Sequence, residues 1–168
     1  MSTFRAELLD PRGEVEVMDK QMINRINDLI ALDYDAVGAY EAAIERIHVE
    51  ALRMRLREFQ MDHQRHIQEL SAVVTRIGGE PREKPDVKGF VLKGFTAITS
   101  MMGIEAALKA MQGNEKYTNH MYRKARDQQW PDDVRGIIER NFSDEQRHLS
   151  FIEDSLRTRS WEETGVHP

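Results

Sequence analysis

Hydrophobic positions recur along most of the chain at steps of three and four, the spacing of one face of an α-helix. One stripe runs Ile26, Ile30, Asp33, Val37, Tyr40, Ile44, Ile47, and a second runs Leu52, Leu56, Phe59, His63, His66, Leu70, Val73, Ile77. A third passes through Ile98, Met101, Glu105, Leu108, Met111, Glu115 and Tyr122, and a fourth through Val134, Ile138, Asn141, Glu145, His148 and Ile152. Runs of β-branched residues in period-two alternation, the mark of a strand, do not occur. Proline stands only at positions 11, 81, 85, 131 and 168, and the stretches between are rich in strong helix formers.

The pattern predicts helices over about 15–47, 50–78, 97–128 and 131–159, with a crossover at 79–96 and tails at 1–14 and 160–168. Gly78-Gly79 offers a left-handed stop for the second helix. Trp130-Pro131-Asp132-Asp133 reads as a stop followed by an acidic helix start. Four amphipathic helices of this length fit an all-α four-helix bundle made of two antiparallel hairpins.

The seams are interrupted by polar residues. Asp33, His63, His66, Glu115, Glu145 and His148 all hold stripe positions that should face the core. Uncompensated charges in a bundle interior cost several kcal/mol each, so pairing, water or a metal has to neutralise them. His63 and His66, like Glu145 and His148, are three apart and share a helix face. Asp33 precedes His63 by 30 residues and Glu115 precedes Glu145 by 30, which in antiparallel hairpins sets all six in one layer near the middle of the bundle. Asp62 and Asp144 precede the two motifs by one residue and are read as surface or supporting groups. Glu41 and Glu105 are further candidates beyond that layer. Tyr34, Tyr40, Tyr117 and Tyr122 lie near it and read as core residues with a polar tip, and the methionines read as gap fillers.

The two halves match without a gap. A shift of 82 residues lays Asp62-His63-Gln64-Arg65-His66 over Asp144-Glu145-Gln146-Arg147-His148, Asp33 over Glu115 and Tyr40 over Tyr122. This reads as a degenerate internal duplication of a helical hairpin. If a pseudo-twofold axis along the bundle relates the hairpins, the second and third helices run parallel, and the segment between them must travel the bundle's length. Its 18 residues, 79–96, reach about 55–65 Å when extended.

Composition narrows the chemistry. The 168 residues suggest one domain. Lys and Arg number 24 against 29 Asp and Glu, a net charge of −5, which argues against a nucleic-acid binder. Absence of cysteine removes disulfides, thiolate metal sites and thiol catalysis. The first twenty residues have no apolar signal core, and Lys93, Glu105 and Lys109 break the most apolar stretch. No membrane association and a cytoplasmic location are therefore expected.

A carboxylate on the first and third helices, with Glu-x-x-His on the second and fourth, resembles the di-metal carboxylate site of the ferritin-like superfamily. Glu115 and Glu145-Gln146-Arg147-His148 match the half-motif; Asp33 and His63 stand where that pattern has Glu. The Gly79-Glu80-Pro81 turn, Gly38-Ala39-Tyr40-Glu41 and the Leu52…Phe59 stretch look like small bacterial ferritin-like proteins. The resemblance implies a bundle holding two iron ions, with manganese or zinc as alternatives, on Asp33, His63, His66, Glu115, Glu145 and His148. It further implies redox activity of ferroxidase, oxidase or peroxide type, with Fe(II), O2 or peroxide as reactants. Because of the two departures the site is expected to be asymmetric, His63 serving as an extra nitrogen donor or the site holding a single ion. A homo-oligomer, with a dimer favoured, is the expected assembly. The competing reading is a non-catalytic bundle whose polar layer fixes helix register and which acts through partners or self-assembly.

Overall fold

The computed structural model describes residues 11–84 and 103–162, with side chains from Lys20 onward in the first stretch. Within them lie four helices: α1 (Pro11–Arg46), α2 (Glu50–Arg76), α3 (Ile104–Arg126) and α4 (Asp132–Thr158). The described residues contain no strand. The described part of α1 already includes Pro11, ahead of the expected start at 15. The start expected for the third helix at 97, the crossover from 85 to 96 and the stripe positions Ile98 and Met101 lie outside the described residues. The described α3 follows Gly103, whose φ of 93° favours glycine.

Helix ends follow local chemistry. α2 stops in a Schellman turn: Gly78 takes φ 79°, its N–H donates to Thr75 O (3.0 Å), and Gly79 N–H donates to Val74 O (2.9 Å). Pro131 sits just before α4, whose first turn carries Asp132 and Asp133, and Asp133 ion-pairs with Arg76 at the end of α2. The carboxylates also suit the positive end of the helix dipole.

Three-residue and five-residue links make α1–α2 and α3–α4 antiparallel hairpins. Hydrogen bonds from Tyr40 to Glu115 and from Tyr122 to Asp33 show that α1 and α3 are antiparallel too. Arg76–Asp133, His66–Asp144 and Asp62–His148 show the same for α2 and α4. α2 and α3 therefore run parallel on the diagonal, and the ends that the crossover joins lie at opposite ends of the bundle, roughly 40 Å apart at 1.5 Å per residue.

Apolar side chains fill the bundle in two separate clusters. One is built around Ile26, Ile30, Leu70, Val74, Trp130 and Ile138, and the other around Ile44, Ile47, Leu56, Phe59, Leu108 and Ile152. Between them the core is polar. Met54 and Met61 depart from the gap-filling reading: they are 55% and 65% exposed on the outer face of α2. The basic side chains on that face, Arg53, Arg55 and Arg57, pair with Glu50 and Glu58.

At Gly79 an added Cβ would lie 2.9 Å from Ile23 Cγ1 and Cδ1 and from Val74 Cγ1, so the α1–α2 contact depends on a bare backbone there. Gly79→Ala is expected to lower unfolding stability by about 1–3 kcal/mol. Gly136→Ala, inside α4 with only ordinary contact at 3.8 Å, is expected to raise it by about 0.5–1 kcal/mol. Urea unfolding of both variants checks the pair.

Candidate metal centre

Each helix delivers its polar residues to the same level because the steps of three and four return to one face. α1 brings Asp33, α2 His63 and His66, α3 Glu115, and α4 Glu145 and His148; all six are fully buried. They form two overlapping groups. Asp33, His63, His66 and Glu145 make one, and His63, Glu115, Glu145 and His148 the other, with ligand atoms within 4.8 Å of one another in each. His63 and Glu145 belong to both, and they are mates under the 82-residue shift.

The hydrogen bonds obey the same twofold relation. Tyr40 OH donates to Glu115 Oε1 and Tyr122 OH to Asp33 Oδ2, each at 2.6 Å. Both tyrosines are thus core residues whose hydroxyls end in the polar layer, as their sequence positions suggest. Tyr34 and Tyr117 instead pack, partly buried, against the apolar cluster beside it. His148 Nε2–H donates to Asp62 Oδ2 (3.0 Å) and His66 Nε2–H to Asp144 Oδ2 (3.3 Å). Arg147 and Arg65 pair with those same aspartates. Asp62 and Asp144 are supporting groups, each holding the outer nitrogen of the other hairpin's histidine, an arrangement that fixes the tautomer of metal-binding imidazoles.

Neither Glu41 nor Glu105 reaches the layer. Glu41 is exposed, and Glu105 pairs with Lys109 at 2.6 Å. Sequence reasoning missed the buried Asn114, Thr118 and Asn119 of α3. Asn119 Nδ2 donates to the backbone oxygens of Glu145 (2.8 Å) and Glu115 (3.0 Å), tying α3 to α4 beside two of the carboxylates. Its position four residues after Glu115 was the available signal. Phe59, present in the stripe as an apolar residue, lies against His148 with ring centroids 4.2 Å apart.

Burial and charge oppose each other throughout the layer. Burial, reinforced by Glu115 and Asp33, pushes the Glu145 carboxyl up to about 8. Burial would also raise Asp33, but hydrogen bonds from His63 and His66 outweigh it and hold that carboxyl below its ordinary value. His63 is raised well above the ordinary imidazole value because Glu145 and Asp33 overcome its burial. His66 rises to about 8 on its bonds to Asp144 and Asp33, again against burial. For His148 burial wins, and its imidazole is shifted down toward the neutral form.

Several buried ligand-type atoms find no hydrogen-bond partner: His63 Nε2, both carboxylate oxygens of Glu145 and His148 Nδ1. A buried polar group left unsatisfied costs about 1–3 kcal/mol. Once its proton is displaced, the Glu145 carboxylate has only lone pairs to offer, and neutral His148, with its Nε2–H given to Asp62, presents a lone pair at Nδ1. Cations answer such a donor set, and mixed imidazole and carboxylate ligation suits divalent iron, manganese or zinc.

Comparisons with known proteins agree with this architecture. No curated protein matches the chain. Among solved structures, one similar chain is a ferritin-like, diiron-carboxylate protein from Bacillus anthracis str. Ames, with 20% identity and a TM-score of 0.64 over 82% of this chain and 96% of that one. Another is a two-domain protein from Anabaena variabilis ATCC 29413 containing DJ-1/ThiJ/PfpI-like and ferritin-like domains, with 15% identity and a TM-score of 0.69 over 89% of this chain. The chain spans 39% of that longer protein. At these identities the likeness is one of fold. Among the described residues no helix is long and apolar enough to cross a membrane. A family model described as "Domain of unknown function (DUF2383)" matches residues 21–128, so the chain belongs to that family, and its fold is the ferritin-like four-helix bundle.

Proposed function

We propose that this protein is a ferritin-like, non-haem metal protein whose polar layer holds up to two divalent ions, iron before manganese or zinc, and reacts with Fe(II), O2 or peroxide. The observation that carries the reading is the convergence of unpartnered, fully buried ligand atoms on two overlapping four-residue groups. Bound iron in such a set would supply one-electron redox chemistry at positions left open by the protein. The chain's own residues prepare that place. Tyr40 and Tyr122 orient the Glu115 and Asp33 carboxylates from the opposite hairpin. Asp62 and Asp144 hold the outer nitrogens of His148 and His66, and Arg147 and Arg65 balance the charge of those aspartates. Two apolar clusters close the layer from either end and keep bulk water away. Among the described residues a surface groove of about 400 Å³ reaches Phe59 and Asp62, which both touch His148, and offers small reactants an approach.

The alternative is a purely structural layer fixing helix register. One observation favours it: Asp33 is satisfied by His63, His66 and Tyr122 without any ion. The two readings separate on chelation, which lowers the melting temperature of a metal-bound fold and leaves a structural network unchanged.

Protein loaded with Fe(II) is expected to retain at least about one ion per chain and to oxidise Fe(II) faster than buffer. Glu145→Ala combined with His148→Ala is expected to abolish both. Elemental analysis and the absorbance of the ferric product measure this; well under one ion per chain, or retention by the double variant, would sink the reading.

Metal and protons compete for the same atoms. Glu145 and His66 both carry pKa values raised to about 8. Each favours the metal-free fold fully below its unfolded value, and that stabilisation is lost as pH rises toward 8. Metal binding must displace these protons. The gain in melting temperature on adding metal is therefore expected to grow from about pH 6 to about pH 9, within the range of metal solubility. Thermal scans with and without Zn(II) check the sign.

A further inference from the structure

Strict duplication would put a carboxylate at position 63, opposite its mate Glu145. An imidazole there behaves differently, because its two nitrogens point in opposite directions and a neutral ring has one N–H and one lone pair. His63 Nδ1 lies 2.8 Å from Asp33 Oδ1. The carboxylate only accepts, so Nδ1 donates and a neutral ring has its lone pair at Nε2. That nitrogen is buried, has no hydrogen-bond partner and faces Glu115 Oε1 at 3.9 Å. His148 repeats the pattern: Nε2–H is given to Asp62, and the unpartnered Nδ1 faces Glu115 Oε2, also at 3.9 Å. Glu145 adds two oxygens without a hydrogen bond, of which Oε1 stands between the halves, 3.5 Å from both His63 Nδ1 and His66 Nδ1. A hydrogen bond would close such gaps to about 2.8–3.0 Å. Two ligands of one ion, each about 2.1 Å from it, stand roughly 3–4 Å apart.

The other half of the layer is already occupied by its own hydrogen bonds. Asp33 Oδ1 accepts from His63 and His66, and Oδ2 accepts from Tyr122. His66 has a carboxylate at each ring nitrogen, Asp33 at 3.3 Å and Asp144 at 3.3 Å, so both nitrogens donate and neither lone pair is free. The walls differ as well. Phe59 lies against His148 and helps fix that ring. Its mate under the 82-residue shift is the buried Asn141.

We propose that the two halves fill unequally: the first ion binds to His63 Nε2, His148 Nδ1, Glu115 and Glu145, while Asp33 and His66 remain bonded to each other. Asp33 is then a positioning residue, standing behind His63 as Asp62 stands behind His148. A second ion has to break the Asp33 bonds to both histidines and binds more weakly. This inference rests on the metal-binding reading above and adds which atoms take the first ion and in what order the positions fill. The ligand class is a divalent transition ion that accepts two imidazole nitrogens and two carboxylates.

The test is an anaerobic titration of the metal-free full chain with Co(II), followed by visible absorption, with elemental analysis after desalting. The expected result is one retained ion per chain and a second bound at least about tenfold more weakly, the scale set by lost supporting hydrogen bonds. His148→Gln and Glu115→Gln should each remove the retained ion, and His66→Gln should leave it in place, with helix content followed by circular dichroism. His63→Glu, which restores the twofold-related carboxylate, should bring the two positions close to equal affinity. Two ions of equal affinity in the unaltered protein, or loss of the first ion in a folded His66→Gln, would overturn the unequal filling while leaving a metal protein. No retained ion in the unaltered protein would overturn the metal reading and this inference together.

Discussion

Everything in this bundle is arranged around charge held away from water. Asp33, Glu115 and Glu145 lie fully buried between two apolar clusters, where an unpaired charge costs several kcal/mol. Helix order, the long link between α2 and α3 and the orientation of both tyrosines follow from bringing donors to those carboxylates from opposite hairpins. Each hairpin supports the other: α1 and α3 exchange tyrosine–carboxylate bonds, and α2 and α4 exchange aspartate–histidine bonds. Neither hairpin can satisfy the layer alone. The interior therefore selects one pairing of hairpins over registers that hydrophobic packing by itself would tolerate.

Two departures from twofold symmetry give the layer its chemistry. His63 opposite Glu145 puts, where the twofold plan calls for a second carboxylate, a ring that is already committed to Asp33 on one side. Phe59 opposite Asn141 makes one wall apolar and the other polar. Pairing in the layer is uneven as a result: the Asp33 half is internally bonded, the unpartnered His63 Nε2 and His148 Nδ1 face Glu115, and Glu145 stands between the halves. Supporting groups on the outside are nearly symmetric. Asp62 with Arg147 and Asp144 with Arg65 stand in equivalent places, so the difference between halves arises in the innermost residues.

Much of this was legible in the chain because helices translate spacing into position. Steps of three and four placed Asp33, His63, His66, Glu115, Glu145 and His148 on inward faces, and separations of 30 residues across short turns put them at one level. The repeated Asp-x-x-Arg-His pattern announced two related hairpins, and Gly78-Gly79 marked the end of α2. The same rules were less reliable at the margins. Glu105 kept the stripe's period but lies at the first turn of α3, where Lys109 takes it, and Met54 and Met61 are apolar by type yet face outward.

The sequence by itself determined the helical fold, the twofold plan and the six acidic and imidazole residues that meet in the core, because each depends on periodicity and distance along the chain. Only the tertiary structure decided which nitrogen of each histidine looks inward, which aspartate backs which ring, and which half of the layer is left without partners. The bonds of Asp144 to His66 and of Asp62 to His148 join residues 78 and 86 positions apart on different hairpins. Those of Asp33 to His63 and His66 cross the first hairpin, and hydrogen-bond direction is fixed by side-chain geometry in three dimensions rather than by residue type or spacing.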